Sequence, residues 1–222
     1  FLLECAHTAN QASAPEEVAA IETLLRSILR PGATWTNRAG RVAALRPEDV
    51  LVIAPYNAQV SALRRALQHI GGTRVGTVDK FQGQEAPVVV YSCTSSSAAD
   101  APRGLGFLYD PHRLNVATSR AQAAFVMVAS PALFMPDVRS PEQMLQANGM
   151  CRFREVAIPL STPTKRASKA GLGSSTGPAT RRNSRRYVLY RDHIGWVITT
   201  LEDYELLQGI HRAMCAKTWG EF

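Results

Sequence analysis

The chain has 222 residues, 45% of them hydrophobic and 19% charged, with a formal net charge of +7. That is long enough for one full α/β domain with a small appendage, and too apolar for an unfolded tail. The cysteines Cys5, Cys93, Cys151 and Cys215 lie far apart with no CxxC pair, which excludes the usual zinc and thiol-exchange motifs and makes reduced thiols in a cytoplasmic protein the expectation.

No apolar run approaches the roughly 20 residues a bilayer-spanning helix needs, so no membrane partner is expected. The positive charge is uneven. Residues 1–160 carry 15 basic and 13 acidic side chains, whereas residues 161–222 carry 10 and 5. Most of the basic character therefore belongs to a tail segment.

Taken in chain order, Phe1–Cys5 reads as a strand, and a chain that opens inside a strand reads as the back part of a longer protein. Pro15-Glu16-Glu17 after Ser13 reads as a helix start, with Ser13 as the hydroxyl cap and acids at the positive end of the dipole. Val18, Ile21, Leu24, Leu25 and Ile28 continue at helical spacing, and Pro31-Gly32 ends the run. Residues 31–48 read as a loop with room for a short strand.

The continuous apolar run Val50–Ala54 has the pattern of a strand buried on both faces of a parallel sheet. Asn57 reads as the cap of an amphipathic helix through Val60, Leu63, Leu67 and Ile70, closed by Gly71-Gly72. A short strand Arg74–Val78, a polar loop Asp79–Pro87 and the strongly apolar strand Val88–Tyr91 follow. A Ser/Ala/Gly-rich loop then leads to a helix over Pro111–Gln122, the buried strand Ala124–Ala129 and a closing helix around Pro141–Met150. Alternating strands and helices predict a mostly parallel α/β sheet with helices on both faces.

Residues 158–186 form a basic Ser/Gly/Pro-rich linker too poor in apolar groups to offset its chain entropy, so disorder is expected there. The eight cations of residues 161–191 could track a phosphate backbone, but a solvated linker is the more common use of such a run. Residues 187–222 regain hydrophobic character, with a strand pair around Val188–Thr199 and a helix around Leu201–Ala216, and their role is unknown.

Three segments carry the chemistry: Ile53-Ala54-Pro55-Tyr56-Asn57-Ala58-Gln59, Gly76-Thr77-Val78-Asp79-Lys80-Phe81-Gln82-Gly83-Gln84-Glu85, and Arg113-Leu114-Asn115-Val116-Ala117-Thr118-Ser119-Arg120-Ala121. Open α/β sheets bind ligands beyond the carboxyl ends of their strands, where all three segments are expected. Tyr56, directly after a buried strand, could protrude there as a stacking surface. Thr77, Asp79 and Gln82 are short polar groups on a loop, suited to sugar-phosphate. Arg113 and Arg120 are seven residues apart, two helical turns, and so share a face.

In this order the segments resemble motifs IV, V and VI of the second RecA-like domain of superfamily 1 helicases, in the branch of the nonsense-mediated-decay and DNA2-type helicases. The resemblance covers roughly residues 1–155, is strongest over 50–130, and implies a RecA-like domain of the P-loop NTPase type over 1–157.

By that resemblance Tyr56 packs on adenine and Gln59, Gly83 and Glu85 contact the nucleotide, Glu85 through ribose hydroxyls. Arg120 is the arginine finger at the γ-phosphate, and Arg113 is either a nucleotide contact or a solvated ion pair. Thr77, Asp79, Gln82 and Asn115 face single-stranded nucleic acid, DNA before RNA, and Asn115 also holds the helix against the motif V loop. The implied cofactor is ATP with Mg²⁺.

The chain has no GxxxxGK[ST] loop and no acidic metal pair, so the resemblance implies an upstream RecA-like domain that supplies both. Ser140-Pro141-Glu142-Gln143 with Ala147-Asn148 also resembles bacterial fusions with a RecB-like nuclease domain. The other reading is a catalytically inactive RecA-like module that binds nucleic acid or protein. An unrelated doubly wound enzyme is disfavoured, because no nucleophile–base set or cofactor glycine fingerprint is present.

Overall fold

The computed structural model describes residues 1–37, 39–81, 83–160, 187–191 and 196–200, and it divides into two units, Phe1–Thr162 and Pro163–Phe222. The first unit is built on β1 (Leu2–Glu4), α1 (Pro15–Ile28), β2 (Thr34–Thr36), β3 (Val42–Ala44), β4 (Val50–Ile53), α2 (Asn57–Ala66) and β5 (Arg74–Gly76). It continues with β6 (Ala86–Ser92), α3 (Leu105–Leu108), α4 (Pro111–Ser119), β7 (Ala121–Ala129), α5 (Pro141–Val156) and β8 (Pro159–Leu160).

Six strands form one sheet in the order β5-β4-β6-β7-β1-β8. Every neighbouring pair in it is parallel, so all six share one carboxyl edge and one amino edge. This is the α/β, RecA-like fold expected from the sequence. β4 and β6 are buried along their whole lengths, as apolar runs require when helices cover both faces. Alternate residues Leu51 and Ile53, Val89 and Tyr91, and Met127 and Ala129 join one core cluster with Leu108, Ala117, Ala147 and Met150 from α3, α4 and α5. The strand residues between them face the side where α1 packs on α2.

Several local expectations change. Ser13 does not cap α1. The cap position is Ala14, without a side-chain bond, and the Ser13 hydroxyl instead donates to Gln59 Oε1 at 3.3 Å. Asn57 is the first residue of α2, whose cap is Tyr56, again without a side-chain bond. The segment 31–48 holds two strands, β2 and β3, paired with each other in an antiparallel hairpin. α4 stops at Ser119, because Arg120 already feeds β7. α5 runs past Met150 to Val156 and delivers β8, which pairs with β1.

In the second unit β9 (Tyr187–Arg191) and β10 (Trp196–Thr200) pair antiparallel. Of the linker expected over 158–186, Pro159–Leu160 instead form β8, and the remainder from 161, like the expected helix at 201–216, lies outside the described residues. No described helix is long and apolar enough to cross a membrane.

Candidate functional site

The candidate residues do not gather at one edge. Glu85 and Arg120 immediately precede β6 and β7 and so stand at the amino edge, contrary to the expectation that all three segments cluster at the carboxyl ends. The parallel pairing that sets Ala86 against Ala121 holds them side by side, and the Ala86 amide donates to the Arg120 carbonyl at 3.0 Å.

Gln122, one residue into β7, donates to Glu85 Oε2 at 3.1 Å. That leaves the other carboxylate oxygen of Glu85 without a hydrogen bond among the described residues. From β5, Arg74 donates to Gln84 Oε1 at 3.3 Å and to the Glu85 carbonyl at 3.4 Å, pinning the turn from which Glu85 projects. The Arg120 Nε is buried with no hydrogen-bond partner, and among the described residues its guanidinium pairs with no carboxylate. A buried donor left unpaired is costly, so the amino edge offers an uncompensated cation beside an acceptor.

At the carboxyl edge, Tyr56 follows β4 but does not protrude. It is 7% exposed, with its ring 5.7 Å from that of Phe107 and its hydroxyl buried without a partner. The Arg103 and Arg113 guanidiniums lie over the Phe107 ring at 3.9 and 4.3 Å.

Arg113 also faces Asp79 and Asp110, both at 3.7 Å, and so takes the ion-paired arrangement. Asp110 caps α4, accepting from the His112 amide at 2.9 Å. Arg113 stands near the start of α4 and Arg120 just past its end, so they are about 10 Å apart along the helix, Arg113 toward the carboxyl edge and Arg120 at the amino edge. Asn115 is exposed, with no side-chain hydrogen bond among the described residues; the Arg113–Asp79 pair, not Asn115, ties α4 to the loop after β5.

Thr77 is half-buried and Asp79 exposed at the carboxyl end of β5. Gly76 is required there by packing, since a Cβ would come within 2.9 Å of Phe81 and Lys80. Gly83 is required by its φ of +76° and is open on the outside, leaving its backbone free for close approach. Gln82 lies outside the described residues.

Gln59 is not available to a ligand. It is 0% exposed, and its carboxamide accepts from the Ala14 amide and the Ser13 hydroxyl while donating to Ser92 Oγ and the Ala14 carbonyl. With both oxygen and nitrogen committed, it clamps the start of α1 to β6.

This clamp joins a buried network invisible in the sequence. Glu17, fully buried on α1, accepts from Ser92 Oγ and from the Thr94 amide and lies 3.1 Å from His7 Nε2. His7 Nδ1 in turn lies 2.7 Å from Ser96 Oγ. Burial pushes the Glu17 carboxyl up from its ordinary range, against the opposing pull of these partners. Ser, His and acid thus stand in relay order, but Ser96 is 2% exposed and its oxygen also accepts from the Asn10 amide. The relay is a tie between loops rather than an accessible nucleophile. It holds Thr94 at φ +72°, closed by the Ser95 amide on the Cys93 carbonyl at 2.8 Å, a strained γ-turn for a β-branched residue.

Comparison with known proteins agrees with this fold. Residues 4–132 match the family model described as "AAA domain". Over 107 residues, 42% of the chain, it is 38% identical to "Putative helicase MOV-10" of Gallus gallus. Over 148 residues, 60% of the chain, it is 27% identical to the regulator of nonsense transcripts 1 homolog of Drosophila melanogaster. The corresponding homolog of Neurospora crassa is 38% identical over 97 residues, 40% of the chain. The matched stretches span only 9–12% of those proteins' own lengths.

Proposed function

Because the chain belongs to the AAA domain family and carries a helicase-type domain, we propose that it is the second motor domain of an ATP-dependent helicase. Its three segments act as motifs IV, V and VI. Its amino edge completes an ATP site, and its carboxyl edge grips single-stranded nucleic acid.

The observation that carries this reading is that Arg120, buried at Nε and in no ion pair among the described residues, immediately precedes the strand next to that of Glu85, which keeps one oxygen open. These groups fit part of a nucleotide: a guanidinium for a phosphate and an acceptor for ribose hydroxyls. They do not fit the metal, since no cluster among the described residues could hold one. In this reading an upstream RecA-like domain would supply the residues that hold Mg²⁺ and the phosphate cradle. When bound, ATP supplies the hydrolysis energy; the role of this chain is to place Arg120 where charge develops and to orient the sugar through Glu85.

Thr77 and Asp79, with Gln82, form the nucleic-acid side of the domain. Closure of the two domains on ATP and reopening afterwards would move the strand past them. A RecB-like nuclease domain further upstream is the narrower part of the proposal and rests only on the likeness of Ser140–Asn148. Relatives named for nonsense transcripts make RNA a substrate to compare directly with DNA.

The test is Arg120→Ala and Arg120→Lys in the intact protein that carries this domain. The expected result is a loss of kcat for ATP hydrolysis of about 10³-fold or more, little rescue by lysine, and retained binding of single strands. ATP turnover at the unsubstituted rate would sink the assignment. Strand separation measured on DNA and RNA duplexes decides the substrate.

A further inference from the structure

The carboxyl edge carries a cation that the proposed motifs do not use. Arg103 is exposed, and among the described residues no carboxylate lies within 4.0 Å of it. Its neighbour Arg113 is already faced by two acids. An exposed arginine without an acid ordinarily samples many rotamers, but this one is held, with its guanidinium 3.9 Å from the Phe107 ring centroid.

The holding surface is itself fixed. Phe107 sits on α3, which starts at Gly104 from a turn closed by the Gly104 amide on the Ala101 carbonyl at 2.9 Å. The ring rests on buried Tyr56, whose backbone opens α2. A guanidinium fixed in this way gives up less side-chain freedom when it meets an anion.

We propose that Arg103, braced by Phe107, binds a backbone phosphate of single-stranded nucleic acid at the carboxyl edge of the sheet. Phosphate rather than base is the ligand, because the Phe107 ring beside Arg103 already carries two guanidiniums and a guanidinium is suited to a phosphate. The Arg113–Asp79 pair places this contact beside the Thr77–Asp79 loop, so the phosphate adjoins the strand path proposed above. The inference rests on that reading of the carboxyl edge.

A phosphate contact contributes through released counterions, and each one adds about 0.7 to the slope of log K against log salt for single strands. Binding of labelled oligo(dT) and oligo(rU) to the intact protein, measured from about 50 to 300 mM salt, tests this directly. Arg103→Ala should weaken binding several-fold at low salt and lower the slope by about 0.7. Arg103→Lys should restore the slope with only part of the affinity, and Phe107→Leu should weaken binding with the slope intact.

An Arg103→Ala variant with unchanged affinity, or with reduced affinity at an unchanged slope, overturns the proposal. Failure of the unsubstituted protein to bind either strand would instead overturn the functional reading on which it rests. The two failures are therefore distinct.

Discussion

Glu17 is a carboxyl with no exposure, and its position inside the first unit is explained by three neighbours rather than by solvent. Ser92, the Thr94 amide and His7 all converge on it, and removing it would take a partner from each and leave the buried Thr94 amide with none. Glu17→Ala should therefore cost about 3 kcal/mol in urea unfolding, with Glu17→Gln, which keeps an acceptor, costing clearly less; equal effects would show that the network is not what holds the residue. The sign of the pH effect follows from the direction of its shift. A carboxyl raised by burial keeps its proton longer in the folded state, so its contribution is lost as pH rises above its ordinary 4.5. Glu17→Gln should flatten that part of the stability profile.

Gln59 shows why such residues escape a reading of the sequence. A polar side chain just after a buried strand has the signature of a ligand contact, and only the approach of residues 13–14, about 45 positions away, turns it into a clamp. Arg120 is singled out by a motif that is local, whereas its place at the amino edge depends on α4 ending at Ser119 and feeding β7 directly.

Among the elements, the strands were the most legible part. β4 and β6 are apolar throughout because both faces are covered, and that pattern survives without knowledge of their neighbours. β8 has two residues and exists only because β1 offers it an edge, so no local pattern announces it. Helix caps fall between these cases. Ser13 and Asn57 have suitable side chains and do not cap, whereas Ser140 does, accepting from the Gln143 amide at 3.3 Å, while Gln143 Oε1 accepts from the Arg139 amide at 2.8 Å. Residue type alone does not decide, since Ser13 is drawn toward Gln59 instead. Ser140→Ala should lower stability by about 1 kcal/mol, while Asn57→Ala, exposed and not capping, should stay within about 0.5 kcal/mol. Chemical denaturation of both variants checks the contrast, and an Asn57→Ala loss matching that of Ser140→Ala would show that α2 is capped by its side chain after all.

At the scale of the whole first unit, the core contains protonated groups that water would let go. Burial raises the Cys93 thiol well above its ordinary 9.0 and raises the Tyr91 and Tyr109 phenols above their ordinary 10.0. Half-buried Cys5 is pushed up to about 11, mainly by burial. The Tyr109 hydroxyl also donates to the Leu133 carbonyl at 2.6 Å, a bond that only the neutral form can make. Each of these groups holds its proton in the folded state at a pH where the unfolded chain has released it. Their joint contribution is therefore complete below pH 9 and is lost progressively as pH rises through the thiol and phenol ranges. Thermal melts taken across that range should show a melting temperature that is level near neutrality and falls steadily above pH 9. Cys93→Ala should remove the earliest part of the fall, because its thiol is the most deeply buried group with an ordinary value of 9.0. A melting temperature that holds constant to pH 11 would mean that these groups are reached by solvent in the native state, and the close packing of α3, α4 and α5 on the sheet would then be wrong.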